Sequence, residues 1–465
     1  MKRNRKLLAL ALAALTAAAS LTACAGDQSG ESSAAPSGEE TSAVSSEESH
    51  DPVTVTTNLS DGELSKDQIA QFKEKYPWIT VELQKLDDAK MAAALATGTA
   101  PDCIRGTGVF ELPSYAIKGI AADITDRIEK SEVIRKDDLL PVTNVCRFDG
   151  TTIGKGPYYG LPKDWSNDTA LFYNKKCFDA AGVPVPDSKT ALTWPQVFEL
   201  AKKLTVVKDK KVVQYGLSAT EWGKTDANFN QMLQYVASAG AAISSADNKT
   251  MNFDIPAVRD YLTLWADAAK NNVGPNAVNN DQTPGGDLFL ANKSALLIDG
   301  YWYGGVIRGN DNAKTHLDDF GMLPTPTAPN GKRVAAPSSA VSLMLYKQSK
   351  NPDDAWKFLE WYIGGSPADE RAKAGWGLPI FKSKMAEIPQ ETDFDKELLA
   401  VVNDESAAME SFLPVNPYLA NGGWNIFDKY YQPLVFGKTT VDNMVKNMTK
   451  DANDTVTEAV NSISK

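Results

Sequence analysis

Between Val53 and Gly108 the spacing of apolar residues switches back and forth between two periods, and this constrains the fold more than any other feature of the chain. Val53 to Thr57 alternates apolar and polar, the period of a half-buried strand. Leu64, Ile69, Phe72 and Tyr76 then share one helical face, which Pro77 ends. Ile79, Val81 and Leu83 restore period two. Lys90 to Thr97 is Ala-rich and helical, with Gly98 placed to cap it, and Cys103–Ile104 opens another strand closed by Gly106 and Gly108. A β-α-β-α-β series needs a parallel sheet with helices over its faces.

A second α/β unit is predicted further on. Thr193-Trp194-Pro195-Gln196 carries the signs of a helix start, with Thr193 as cap, Pro195 in the first turn and Gln196 completing a capping box. Val197, Leu200, Ala201 and Leu204 give that helix its apolar face. Val212–Leu217 reads as a strand, and Asn228–Ala239 and Ala257–Lys270 as helices. Ala295–Ile298 and Ser342–Tyr346 are short buried-strand runs. Ala355, Phe358, Leu359 and Tyr362 mark a later helix, and Val441, Met444, Val445, Met448 and Ala452 the last one. At 465 residues the chain exceeds one ordinary core and suits two domains. Between the two units lies Tyr159–Asn174, YGLPKDWSNDTALFYN. Its polar first half feeds a short apolar strand, as expected where one lobe hands over to another.

The N-terminus reads as an export signal. Lys2, Arg3, Arg5 and Lys6 precede an apolar stretch, Leu7–Leu21, too short to span a membrane comfortably. Leu21-Thr22-Ala23-Cys24 matches a bacterial lipobox, so residues 1–24 are expected to end at a lipidated Cys24. Residues 25–50, rich in Ser, Gly, Ala and Glu, are expected to form a flexible tether. Without the four basic leader residues, 44 Lys and Arg face 59 Asp and Glu, a net charge of −15. That acidity argues against nucleic acid and against an anionic membrane surface as partners, and leaves the lipid on Cys24 as the membrane attachment. Cys103, Cys146 and Cys177 allow at most one disulfide, and small apolar roles suit them better.

Catalytic signatures are sparse. His50 and His316 are the only histidines, and nothing around His316 resembles a nucleophile elbow or a zinc site. Neither G-x-G-x-x-G nor a P-loop occurs, so no cofactor or metal is expected. A pair of carboxylates acting as a glycosidase dyad stays open, because only their separation in space would decide it. What recurs is a carboxylate or amide beside a large aromatic: Asp164-Trp165, Glu221-Trp222, Asn228-Phe229 and Asp299-Gly300-Tyr301-Trp302, with Trp376 alone between Gly375 and Gly377. Sugars need both features, because their C–H faces pack on rings and their hydroxyls seek fixed acceptors and donors. Asn167, and Asn58 and Thr107 just past predicted strands, join the candidates, with Phe110 close by. Trp424, after Gly422-Gly423, reads as the start of a packed helix.

YGLP, the following LFYNKKCFDAAGVPVP, the Thr193-Trp194 pair and ATGTAPDCIRGTG resemble, in their order, the extracellular solute-binding proteins of bacterial ABC importers. The similarity is greatest to the maltodextrin-type, carbohydrate-binding group and runs from about Val53 to the C-terminus. The resemblance implies a two-lobed periplasmic-binding-protein-like α/β fold (type II) with a ligand cleft between hinged lobes. The expected division is 51–163 plus 295–348 for lobe I and 164–294 plus 349–465 for lobe II. It implies a monomer on the extracellular face of the membrane that captures a mono- or oligosaccharide and passes it to permease subunits. It also places Trp376 where the family stacks sugar. The polar gap Lys163–Asp168 is longer than the short maltodextrin pattern. A lipid-anchored glycoside hydrolase, or a binder of a polyamine or peptide, are the competing readings.

Overall fold

The computed structural model describes residues 50–107, 110–219, 226–280, 283–335, 340–406, 415–419 and 422–463. Glu221, Trp222 and Cys24, with the leader and all of the tether but His50, therefore lie outside the described residues, as does the side chain of Thr107. Asp51–Lys465 forms one unit, built on two five-stranded sheets that share no strand.

The first sheet begins as the periodicity demands. The β1 strand (Val53–Thr57) leads to α1 (Lys66–Lys75), whose Ser65 cap and Gln68 form a reciprocal capping box. The series continues with β2 (Ile79–Leu83), α2 (Asp88–Thr97) and β3 (Cys103–Thr107). Both β2 and β3 run parallel to β1. The short helices α3 (Leu112–Ile117) and α4 (Thr125–Lys130) and the hairpin β4 (Arg147–Phe148) and β5 (Ile153–Tyr158) follow, then β6 (Leu161–Pro162).

The second sheet starts at β7 (Ala170–Asn174) and α5 (Lys175–Ala181). The next helix, α6 (Trp194–Leu204), carries the predicted Thr193–Gln196 capping box and packs on β9 (Lys211–Ala219), the long partner of β8 (Val206–Lys208). Asn228 caps α7 (Phe229–Ser238), which lies against α8 (Pro256–Lys270). After α9 (Gly285–Leu290) comes β10 (Ser294–Asp299), buried at every position, then α10 (Tyr303–Gly309) and β11 (Phe320–Leu323). The chain returns to the first sheet with β12 (Val341–Leu345), covered by α11 (Pro352–Gly364) and its neighbour α12 (Ser366–Ala374). Then α13 (Asp393–Ser406) packs on β11, and α14 (Gly422–Val435) and α15 (Val441–Ile463) pack on α8. The sheet orders are β2-β1-β3-β12-β6 and β11-β7-β10-β9-β8.

Strand pairing draws the division differently from the expected ranges. The return to the first half was expected at residue 295, but β10 sits between β7 and β9, antiparallel to one and parallel to the other, and β11 pairs with β7. Only β12 goes back, followed by α11 and α12 where the second lobe had been expected. A run such as Ala295–Ile298, apolar on both faces, fits the middle of either sheet equally well, so its partner is set by tertiary contact.

The backbone thus passes between the sheets three times: after β6, between β11 and β12, and after α12. Two of these passages bond to each other, since Trp165 and Leu378 exchange both backbone hydrogen bonds (3.1 and 2.9 Å), while Lys163 N donates to the Val341 carbonyl (2.8 Å). Three crossings tied by these bonds suit a hinge motion of the halves.

The three cysteines are free and buried in separate places. Sγ of Cys103 lies against the Ala355 carbonyl, that of Cys146 against Ser342 Oγ, and that of Cys177 against the Ser294 carbonyl.

Candidate functional site

The crossings bring together residues from distant parts of the sequence. Asp164 lies in the first passage, packed on Gly377 of the third so closely that a Cβ there would stand 2.8 Å from the Asp164 Cβ and Cγ. Next to Gly377, Trp376 leaves its ring half-exposed (49 %) in a body whose large aromatics are otherwise mostly covered. Its Cα lies over Gly305 of α10, where a Cβ would come within 3.3 Å. One turn earlier is Trp302, partly buried, whose backbone N–H donates to Ser166 Oγ (3.3 Å). Gly300 needs to be glycine, because a Cβ would fall 2.4 Å from Ser166 Oγ and 2.5 Å from Asp168 Oδ1. Asp164, Asp299, Trp302 and Trp376 therefore line one junction, joined by Ser166 and Asp168 from the polar stretch.

Charge in this region is balanced. Lys163 Nζ pairs with Asp164 Oδ2 at 2.6 Å with both side chains largely buried, and Arg105 Nε pairs with Glu63 Oε1 at 3.1 Å. Burial would push the Glu63 carboxyl up, but Arg105, Lys163 and the Ser60 hydrogen bonds outweigh it and hold the group below its usual range. The Arg371 guanidinium lies on the Tyr362 ring at 4.7 Å and donates to the Tyr362 carbonyl (2.9 Å).

Several expected site residues do other work. The Trp165 ring is 4 % exposed and its Nε1 donates to the Pro379 carbonyl (2.9 Å), because the backbone bridge to Leu378 turns it into the core. The Tyr301 ring is likewise buried, with the Arg308 guanidinium 5.9 Å from its centre. Asn58 uses both ends of its amide on the Arg105 backbone (3.1 and 2.7 Å). The Asn228 side chain caps α7 through Gln231 N, leaving its Nδ2 buried without a hydrogen-bond partner. Asn167 donates to Glu405 Oε2, and its Oδ1 is also buried without a partner. The structure places these five side chains in core or backbone-holding positions. A polar residue at a strand end must satisfy that end's own backbone before it can serve a ligand.

Residues that the sequence did not single out complete the junction. Glu405, at the end of α13, accepts from Asn167 of the first passage and from Thr325 N of the second. Arg308 and Asp395 form a buried ion pair (2.9 Å) under the third passage. Sequence separations of 238 and 87 residues leave no local signal for these contacts.

The halves also touch beyond the crossings. Phe110, after β3, meets Trp424 of α14 edge-on (6.1 Å), and Trp424 in turn meets Phe229 (6.3 Å). Asn248 Nδ2 of the second half donates to the Thr151 carbonyl in the β4–β5 turn (3.2 Å). Two shallow depressions, one on α6 and one between α14 and α15, contain none of the sequence-derived site residues.

Two α/β lobes joined by three crossings, with polar and aromatic groups gathered where they meet, define a two-lobed solute-binding architecture of the periplasmic type II class. The chain belongs to the bacterial extracellular solute-binding protein family, whose model matches residues 56–364. A putative binding protein from Brucella abortus (strain 2308) is 23% identical over 307 residues, covering 64% of this chain and 68% of that one. An ABC substrate-binding protein from Listeria monocytogenes, in complex with cycloalternan, has a similar fold with a TM-score of 0.70 at 21% identity; the match covers 87% of this chain and 99% of that one. A solute-binding protein from Thermotoga lettingae bound to alpha-D-tagatose gives 0.69 at 20% identity, covering 88% and 100%. One from Agrobacterium vitis with bound D-mannitol gives 0.66 at 22%, covering 88% and 98%.

Proposed function

We propose that this protein captures an uncharged carbohydrate, a mono- or oligosaccharide, between its lobes and delivers it to the permease of an ABC importer. The observation that carries the reading is the half-exposed Trp376, whose Cα lies against α10 and whose neighbour Gly377 packs on Asp164 at the crossing of the lobes. A ring offers a sugar's C–H face a stacking partner, and nearby carboxylates and amides take its hydroxyls. The sugars and sugar alcohol held by the structural relatives agree with this chemistry.

The mechanism is hinge closure. A ligand that touches both lobes only when they are shut favours that state by its differential affinity. We place the molecule, as a monomer, on the extracellular face of the bacterial membrane, held by lipid on Cys24, a reading supported by the lipobox. Binding without turnover is the role.

A thermal-shift panel tests this. A sugar at 100 times its Kd should stabilise the protein by about 2.7 kcal/mol. A shift with a polyamine or peptide and none with any sugar overturns the ligand class. Release of shorter products from an oligosaccharide would establish an enzyme instead.

A further inference from the structure

We infer that Arg308 is a positioning residue that fixes the orientation of Trp376 for ligand, an inference that deepens the binding reading above. Trp376 is half-exposed, and the Gly375–Gly377 backbone sets where its Cα and Cβ stand and so where its ring can reach. That backbone is held from beneath. Arg308 Nη2 donates to the Gly375 carbonyl at 3.1 Å, while Nη1 of the same guanidinium donates to Asp395 Oδ1 at 2.9 Å. Asp395 is itself fixed, because its Oδ2 accepts from Thr392 N (3.1 Å) and Oγ1 (2.7 Å). The guanidinium also lies between the rings of Tyr301 and Phe394, 5.9 and 5.8 Å from their centres.

The fit is tight on the peptide side too. Gly375 has φ +64, and a Cβ there would stand 2.1 Å from Arg308 Nη2. A Cβ on Gly305 would stand 2.9 Å from the Gly375 carbonyl. Only a bare backbone at both positions lets the guanidinium reach that carbonyl. The planar fork makes the two bonds at a fixed angle, so the Asp395 side aims the Gly375 side. Arg308 lies on α10, which Trp302 caps, and the arrangement therefore ties the backbones of the two tryptophans to one short helix.

The test uses Arg308→Lys, which keeps a cation for Asp395 but lacks the planar fork whose two nitrogens make the two bonds at a fixed angle. The ligand-free readout is the near-ultraviolet circular dichroism of Trp376, taken as the difference between a protein and its Trp376→Phe partner. The expected result is that Arg308→Lys collapses this difference band, and that Asp395→Asn, which keeps Arg308 but frees it, weakens the band. An unchanged band in folded Arg308→Lys overturns the inference, and Asp395→Asn decides in the same way if the lysine variant fails to fold. The second readout is a double-mutant cycle on sugar affinity by calorimetry. Arg308→Lys should raise Kd about tenfold in the wild-type background and leave it unchanged when Trp376→Ala is already present. Equal losses in both backgrounds overturn the inference. Failure of the wild-type protein to bind any sugar would remove the proposed function, and the dichroism result would still decide whether Arg308 positions the ring.

Discussion

Replacing Glu405 by glutamine should flatten the pH dependence of stability near neutrality. Glu405 is fully buried and accepts from Asn167 and Thr325 N, one from each of two crossings. Burial pushes its carboxyl up from 4.5 to about 7; the Thr325 hydrogen bonds and Arg333 oppose the shift, and Asp404 adds to it. A carboxyl whose folded value lies above its unfolded one holds more protons in the folded state between the two. Stability therefore falls as pH rises from about 4.5 to about 7 and is flat above that window, with respect to this group. A shift of this size at about 1.4 kcal/mol per unit amounts to about 3 kcal/mol. Glutamine is isosteric: its oxygen can accept from Thr325 N, and its amide can donate to Asn167 Oδ1, now without a partner, once the Asn167 amide turns over. Urea unfolding of both proteins from about pH 4.5 to pH 8 separates this group from the other carboxylates, which titrate identically in each. The stability of Glu405→Gln relative to wild type should climb by about 3 kcal/mol across the series. Parallel curves would refute the assignment of a buried, proton-holding carboxyl at this junction.

Trp376→Ala should raise the Kd for a bound sugar about tenfold with little effect on the melting temperature, since the ring is half-exposed; calorimetry that finds the same affinity would remove it from the site. Gly216→Ala should destabilise strongly, by about 3 kcal/mol or more, because its Cβ would lie 1.8 Å from the Ala201 carbonyl where α6 crosses β9; denaturant midpoints check this. Cys146 and Cys177, pushed up to about 12 by burial, and Cys103, which burial raises well above the usual thiol range, should resist alkylation in the folded protein at neutral pH and react only after unfolding, as mass spectrometry would show.

The elements themselves were legible in the sequence, since each depends on neighbours within one or two turns. The Val53–Thr107 alternation, the Thr193–Gln196 box and the apolar stripe of the last helix all appear where their periods require. The polar stretch after Gly160 was readable as a passage between halves because a loop rich in hydrogen-bonding groups there feeds a buried apolar strand in mid-chain. Other decisions needed the tertiary fold. Ala295–Ile298 is apolar on both faces and carries no record of which sheet will take it, so β10 went to the second. Trp165 and Trp376 each sit in a short polar or glycine-flanked segment, yet one is clamped into the core by its bridge to Leu378 and the other left open. The groups that hold the crossings, Glu405, Arg308 and Asp395, meet partners 67 to 238 residues away. Periodicity records what a residue's chain neighbours require, whereas a hydrogen bond across that distance exists only once both sheets have formed.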